Sequence, residues 1–265
     1  MIGAIRALGA WFIHLAQMAG KVGFLATETL ASPFQGRIRY GLMGQQLVRI
    51  GFGSQFVVVV TGAFVGAVFG AQTYFAFNQV GLETAVGSVV SLAMCRELGP
   101  IMTAIMVTGR VGAAMTAEIG TMKVTEQIDA LRALAVHPVD YLVFPRFVGM
   151  VISMPLLIAE AIGFGLLAAY LVIVKGFGVP GAFYMYHLKV NTSLNDIGIG
   201  MIKGGVFAVI IVFICCYNGL SVSTGGAGVG KCTTESVVAS SLCILVVNFF
   251  LSILLNQFFP IMGAS

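Results

Sequence analysis

Five apolar stretches, each long enough to cross a lipid bilayer, dominate this sequence. They cover residues 50–71 and about 84–109, the segment between Arg146 and Lys175, the segment that follows Lys203 and runs to about Tyr217, and residues of about 236–259. A helix needs roughly 20 apolar residues to cross the hydrocarbon. Only 9% of the 265 residues are charged, whereas soluble domains carry roughly 25%. The sequence therefore predicts an all-α integral membrane protein with five transmembrane helices and excludes a soluble enzyme.

Two of these stretches contain residues that indicate how they pack or bend. The first contains Gly62, Gly66 and Gly70, a small-residue face that allows two helices to approach closely. The second is interrupted by Arg96-Glu97 and by Gly99-Pro100, and neither half is long enough to span alone. We therefore interpret the second stretch as one helix with a polar, kinked middle.

Residues 1–30 form an amphipathic pattern rather than a further span. Apolar side chains recur at steps of three and four residues, and polar side chains fall on the opposite face. The apolar face comprises Leu8, Trp11, Phe12, Leu15, Met18, Val22 and Leu25, and the polar face comprises His14, Gln17, Lys21 and Glu28. Such a helix is typical of the membrane interface. We divide the chain into this interfacial helix with its connector, residues 1–40, and a membrane domain, residues 41–265.

The distribution of positive charge predicts the orientation. Residues 1–50 and 110–146 hold nine Lys or Arg residues and the last loop adds Lys231, whereas the two intervening loops hold only Lys175 and Lys189. Positively charged loops stay in the cytoplasm. We therefore expect a multi-pass protein of the inner (cytoplasmic) membrane, with a cytoplasmic N-terminus and a periplasmic C-terminus. The net charge of +4 then reflects topology rather than binding to nucleic acid.

Arg96 and Glu97 are the strongest candidates for a functional site. An ionised group at the bilayer centre costs about 2.5–3.5 kcal/mol even on the lowest scale, so it faces a cavity or a partner. Neighbouring helical residues do not face each other, so each of the two needs its own partner. The pair either lines a translocation path or forms structural ion pairs between helices. Glu160 is either part of such a path or a protonated acid in a packed interface.

A charged segment separates the second and third stretches. Residues 109–120, GRVGAAMTAEIG, are rich in small residues, and residues 121–134 continue as TMKVTEQIDALRAL. One helical stripe is apolar and the rest is charged. The apolar stripe comprises Val124, Ile128, Leu131 and Ala135, and the charged face comprises Lys123, Glu126, Asp129 and Arg132. A helix resting on lipid and a docking surface for a cytoplasmic partner explain this pattern equally well, and His137-Pro138 ends it.

One motif imitates a nucleotide site. Residues 225–231, GGAGVGK, match the spacing of a phosphate-binding loop, but Cys232 replaces the hydroxyl that binds magnesium, and the flanks are apolar spans. We interpret the glycines as a tight loop between the fourth and fifth spans. The sequence shows no catalytic constellation and no metal-ligand spacing, and its five cysteines are expected to be small buried hydrophobes.

Several motifs resemble those of the MlaE (YrbE-type) permease family. They are RELGP (96–100), GRVGAAMTAEIGTMKVTEQIDAL (109–131), AVHP (135–138), PRF (145–147) and MPLL (154–157), followed by Asn218-Gly219 and Thr233-Thr234. The resemblance covers roughly residues 40–258 in order, and the long central motif is its most specific part. Members of this family are membrane subunits of ABC transporters that move phospholipids together with MCE proteins and support the lipid asymmetry of the outer membrane.

The resemblance implies partners as well as a fold. Two copies of the permease pair, and each binds a cytoplasmic ATPase through a coupling helix, here about residues 116–136. An MCE-domain protein stands on the outer side, and a small STAS-type protein is a further candidate partner in the cytoplasm. The permease itself is then no enzyme and holds no cofactor, because the partner subunit uses the ATP.

The resemblance also assigns residues by their position in these motifs. The coupling helix or its approach contains Glu118, Lys123, Glu126 and Asp129. A phospholipid cavity between the two copies contains Arg96, Glu97, Gln72 and Tyr74, and Glu160 is a further candidate for the pathway. Arg96 is expected to hold a phosphate by charge-assisted hydrogen bonds, and Glu97 to orient the lipid or gate its route.

Three alternatives to phospholipid transport deserve comparison. An ABC permease for another hydrophobic substrate, such as a sterol, fits the same apolar spans. An ABC permease for a small polar solute needs several convergent polar groups in the membrane, and the sequence offers few. A secondary transporter often shows two repeated halves with broken helices, whereas this sequence shows one broken span and no repeat.

Overall fold

Helices make up all of the secondary structure in the computed structural model, which describes residues 2–35, 39–223 and 225–259. Within these residues they are α1 (Ile2–Gln35), α2 (Tyr40–Asn78), α3 (Val86–Val124), α4 (Gln127–Ala133), α5 (Val139–Gly176), α6 (Gly181–Asn191), α7 (Leu194–Leu220) and α8 (Gly226–Phe258). Helices α2, α3, α5, α7 and α8 are each long and apolar enough to cross a membrane. The predicted all-α membrane protein with five spans is confirmed.

The connections define two ends of the helix bundle. The chain turns at one end between α3 and α5, where α4 lies, and between α7 and α8; we call this end the α4 side. It turns at the other end between α2 and α3 and between α5 and α7, where α6 lies; we call this end the α6 side. The predicted orientation would place the α4 side in the cytoplasm, and it stays a prediction.

The glycine face of α2 packs closely on another helix, as the sequence predicted, and this partner is α5. Small residues meet at every fourth position of both helices: Gly62 against Ala161, Gly66 against Gly165, and Gly70 against Ala169. A Cβ atom on Gly62 would lie 2.7 Å from the carbonyl oxygen of Ala161, too close for any side chain. Because these positions carry no side chain on α2, the two backbones can approach closely.

Helix α3 is a single span, but its shape and length differ from the prediction. Its polar part is a π-helical turn, Met94–Leu98, and a second π-helical turn follows at Thr108–Gly112. The helix continues to Val124 instead of ending near residue 109. Arg96 and Glu97 therefore lie in the first third of the helix, nearer the α6 side than the centre that the sequence predicted.

The segment predicted as one coupling helix, about residues 116–136, is divided into two. Its first part completes α3, and its second part is the short helix α4. The break lies at Thr125 and Glu126, because the backbone of Glu126 adopts the left-handed conformation with φ of 60°. A left-handed residue ends an α-helix, since the next residues cannot continue its hydrogen-bond ladder.

The N-terminal segment is one helix, and its second half packs on the protein. Leu25 is buried and Val22 packs beside it in the main core, whereas Gln17 and Lys21 are exposed, so this half shows the predicted amphipathic faces. The side chains of Leu8, Trp11, Phe12 and Leu15 lie outside the described residues. The position of α1 at the membrane interface stays a prediction.

Two boundaries of the last spans were predicted wrongly. The glycine-rich segment is no loop, since α8 begins at Gly226 and includes Lys231. Glycine is a poor helix former, but Val229 lies within contact distance of Gly120 of α3, and this packing holds the segment. Likewise α7 begins at Leu194, so Lys203 lies inside the fourth span rather than at its start.

Candidate functional site

Four charged side chains meet near the α6 side and form what we call the charged cluster: Arg96 and Glu97 of α3, and Asp196 and Lys203 of α7. Asp196 and Lys203 are two helical turns apart, so they lie on the same face of α7. The cluster contains two cations and two carboxylates, so its formal charge is zero. Such balance is what allows charged groups to remain inside an apolar bundle.

Arg96 is held by protein groups on three sides. Its Nε donates to Oδ1 of Asp196, and its Nη2 forms an ion pair with the same oxygen. Its Nη1 donates to Oδ1 of Asn256 and, at 3.3 Å, to the carbonyl of Phe259. The side chains of Arg96 and Asp196 are only 7% and 3% exposed. The other oxygen of Asp196 accepts hydrogen bonds from the backbone N–H and the hydroxyl of Ser193, which caps α7.

Glu97 is held by a second set of partners. Its Oε1 accepts a hydrogen bond from Nζ of Lys203 at 2.8 Å, and its Oε2 accepts from Asn248 at 3.0 Å and from Ser252 at 3.1 Å. The Glu97 side chain is 39% exposed, whereas that of Lys203 is completely buried. Glu97 is therefore the member of the cluster that is open to its surroundings.

Lys203 also donates a hydrogen bond to a backbone carbonyl of α3 that a proline leaves without its usual helical donor. In a regular α-helix the carbonyl of Arg96 would accept from the N–H of residue 100, but this residue is Pro100 and has none. Lys203 Nζ donates to that carbonyl at 2.8 Å, in addition to Glu97 and to the Ser252 hydroxyl at 2.8 Å. The three protons of the ammonium thus have three acceptors, and the sequence RELGP and Lys203 form one structural unit.

The partners of Arg96 and Glu97 were not found from the sequence. The predicted fourth span leaves Asp196 outside and Lys203 at its edge, although their spacing of seven places both on one face of α7. A second signal was available in α8, where Asn248, Ser252 and Asn256 recur at every fourth residue of an otherwise apolar helix. The observed ion pairs are those expected if Arg96 and Glu97 hold helices together. Their role in a translocation path stays a prediction.

The other predicted pathway residues lie apart from the charged cluster. Gln72 is exposed near the end of α2 on the α6 side, and Tyr74 stacks on Phe177 with ring centroids 4.5 Å apart. Glu160 lies in α5, where one carboxyl oxygen accepts from Gln55 at 3.1 Å. Its other oxygen is buried without a hydrogen-bond partner among the described residues. Their roles stay predictions.

Glu118 joins three helices near the α4 side. Its carboxylate accepts hydrogen bonds from Arg49 of α2 at 3.0 and 3.1 Å and pairs with Arg146 of α5 at 3.0 Å. The Arg146 side chain is 4% exposed, although the sequence placed this residue in a loop. Glu118 therefore fixes the end of α3 to its neighbours.

The charged face of α4 is open, as the sequence predicted for a surface helix. Asp129 pairs with Lys123 at 3.3 Å and with Arg132 at 2.9 Å, and Glu126 is exposed. The apolar side of α4 points inward, since Ile128 is fully buried and Leu131 packs against the core. Leu134, just after the helix, is 74% exposed. The result is a compact surface with both charged and apolar groups.

Comparison with known proteins identifies the family. The family described as "Permease MlaE" matches residues 43–254. A "Probable ABC transporter permease protein" of Rickettsia bellii is 38% identical over 95% of this chain and 97% of its own length. The "Intermembrane phospholipid transport system permease protein MlaE" of Haemophilus influenzae is 36% identical over 95% of this chain and 97% of its own length.

A plant protein is also similar to this chain. The Arabidopsis thaliana protein named "TRIGALACTOSYLDIACYLGLYCEROL 1, chloroplastic" is 36% identical over 87% of this chain, and the match spans 66% of its own length. The family match covers most of the chain, and five helices are suited to cross a membrane. The chain therefore belongs to the MlaE permease family and is the membrane-spanning permease subunit of an ABC transporter.

Proposed function

We propose that this permease moves phospholipids between the inner membrane and an MCE-domain protein on its outer side. The similar protein of Haemophilus influenzae is named for intermembrane phospholipid transport. In our proposal two copies of the chain enclose the lipid route, the N-terminus lies in the cytoplasm, and the C-terminus lies in the periplasm. Transport of this kind would support the lipid asymmetry of an outer membrane.

The observation that carries this proposal is the charged cluster within an otherwise apolar bundle. A phospholipid has one charged headgroup and long apolar tails, so its route needs a broad apolar wall and few polar groups. Arg96 supplies donors suited to a phosphate, and Glu97, which is 39% exposed, is open to a headgroup. To bind that phosphate through paired hydrogen bonds, Arg96 exchanges one of its present acceptors, Asn256 or the Phe259 carbonyl. We propose this exchange as the gating step.

Helix α3 is suited to connect this gating site with an ATPase subunit. It carries Arg96 and Glu97 near one end and Glu118 and Lys123 near the other, about 30–40 Å away at 1.5 Å per residue. Helix α4 follows directly and offers an exposed surface on the α4 side. We propose that a separate cytoplasmic ATPase subunit docks on α4, binds and hydrolyses the ATP, and moves α3. A small STAS-type protein is a further candidate partner on that side.

The function is tested with the complete transporter, purified with its ATPase and MCE subunits and reconstituted in vesicles. The wild-type complex is expected to transfer labelled phospholipid only with ATP. Leu134→Glu places a charge on the exposed apolar residue beside α4, and it is expected to lower both the retained ATPase subunit and the transfer rate about tenfold. Lys189→Gln, an exposed change on the α6 side, is the control. ATP-independent transfer, or an ATPase fully retained by Leu134→Glu, would contradict the proposal.

A further inference from the structure

A cavity of about 220 Å³ lies between α2 and α3 toward the α4 side, far from the charged cluster. Its walls are formed by Gln46, Arg49, Ile50, Arg110, Val111, Ala114, Met115 and Glu118. None of the pathway residues discussed above lines it. Two arginines face one shared space at this end of the spanning helices, where positive charge close to hydrocarbon is costly.

The arginine side of this cavity has an excess of positive charge. Arg49 and Arg146 share the single carboxylate of Glu118. Arg110 forms no ion pair within the described part of the chain; its Nη1 donates to the Ser54 hydroxyl at 3.0 Å. Arg146 lies outside the cavity wall, but with it three guanidinium groups meet one carboxylate here. Two positive charges are thus left without a counter-charge among the described residues. Such a site attracts an anion.

The guanidinium of Arg110 packs against the backbone of α2. A Cβ atom on Gly53 would lie 3.4 Å from both Nη1 and Nη2 of Arg110, so the guanidinium packs directly on this glycine. Ser54, the next residue, accepts its hydrogen bond. The guanidinium has five N–H donors, and one is used in this contact. The remaining donors are available to a ligand in a fixed position.

The depth of Arg110 in the membrane indicates which anion it binds. Gly53 and Ser54 belong to the apolar stretch that begins at residue 50, and Arg110 belongs to the spanning helix α3. Because Gly53 and Ser54 lie about one helical turn inside this stretch, we expect Arg110 to lie where the headgroups of one leaflet meet the hydrocarbon. The phosphate of a membrane lipid is the anion that is abundant at this level, and guanidinium groups bind phosphate through paired hydrogen bonds.

We propose that the cavity between α2 and α3 binds the phosphate of a phospholipid from the leaflet on the α4 side. This lipid binds at a site separate from the charged cluster, where Arg110 is the main residue that contacts the phosphate and Arg49 is the second. The idea that this lipid is then passed on for transport rests on the proposed function, whereas the binding of a lipid in the cavity does not.

The test places a photoreactive amino acid at Ala114, an exposed residue of the cavity wall. The complete transporter is reconstituted in nanodiscs of phosphatidylethanolamine and phosphatidylglycerol and irradiated. We expect crosslinked phospholipid, a reduction of at least about tenfold with Arg110→Gln, and a smaller reduction with Arg110→Lys, which keeps the charge but not the paired hydrogen bonds. Lys231→Gln, which removes an exposed charge on the same side, is expected to leave the labelling unchanged. Thermal unfolding verifies that each variant is folded.

Two further arms separate the possible ligands. Nanodiscs of a phosphate-free glycolipid are expected to give weak labelling, and an excess of inorganic phosphate is expected to leave the phospholipid label in place. Equal labelling from the glycolipid, or labelling that Arg110→Gln does not change, would show ordinary contact with the bilayer and overturn the proposal. Displacement by inorganic phosphate would assign the cavity to a free anion and overturn it as well. A wild-type complex that labels but transfers no lipid would refute the proposed function alone.

Discussion

Arg96→Met is expected to abolish phospholipid transfer and to destabilise the protein. The methionine keeps the apolar volume of the side chain but leaves Asp196, which is 3% exposed, without its ion pair. Removal of one partner from a buried pair costs about 3–5 kcal/mol. The measurements are ATP-dependent transfer from reconstituted vesicles and unfolding of the purified permease in detergent.

A double variant separates the two interpretations of this residue. Arg96→Met with Asp196→Asn removes both charges, so most of the lost stability is expected to return. If Arg96 binds the lipid phosphate, transfer stays abolished in the stable double variant. If the pair is only structural, transfer returns together with stability, and the pathway role of Arg96 is wrong. Lys189→Met, which removes an exposed positive charge on the same side, is expected to change neither quantity.

Lys203→Met is the second change with a large expected effect. It removes the partner of Glu97 and also the donor to the Arg96 carbonyl. We expect a loss of stability of about 3 kcal/mol or more and at least a tenfold loss of transfer, because the RELGP turn is no longer held against α7. Unfolding in detergent and the vesicle assay measure the two effects.

Pro100 provides an internal test of this explanation. Pro100→Ala restores a backbone N–H that can serve the Arg96 carbonyl in place of Lys203. Lys203→Met is therefore expected to cost about 1–2 kcal/mol less in the Pro100→Ala background than in the wild type. Pro180→Ala, at the start of α6, is the control and is expected to give additive effects. Additive effects for Pro100→Ala would show that the carbonyl contact does not contribute.

Much of this fold follows from the distribution of apolar residues. The five spans are visible because water excludes long apolar runs, and the glycine face of α2 is visible because its spacing of four matches the helix period. The need of Arg96 and Glu97 for separate partners also follows from their adjacency. These are local properties, and each can be assessed along the chain without knowing which helices are neighbours.

The features that were missed depend on tertiary contacts. Nothing local to Glu126 indicates a left-handed backbone, since this conformation is uncommon outside glycine, asparagine and aspartate. The glycines before Lys231 favour a loop by propensity, but the packing of Val229 on α3 makes them helical. The role of Lys203 requires two facts together, the missing N–H of Pro100 and the packing of α7 against α3.

A structure of the assembled transporter in a phospholipid bilayer decides whether Arg96 and Glu97 face a lipid route. Electron cryomicroscopy of the complex with its ATPase and MCE subunits shows lipid and partners in one measurement. We expect a phospholipid in the apolar chamber between two copies, with its phosphate about 3 Å from Arg96, and α4 in contact with the ATPase. Arg96 and Glu97 facing bulk bilayer, or α4 touching no partner, would contradict this expectation.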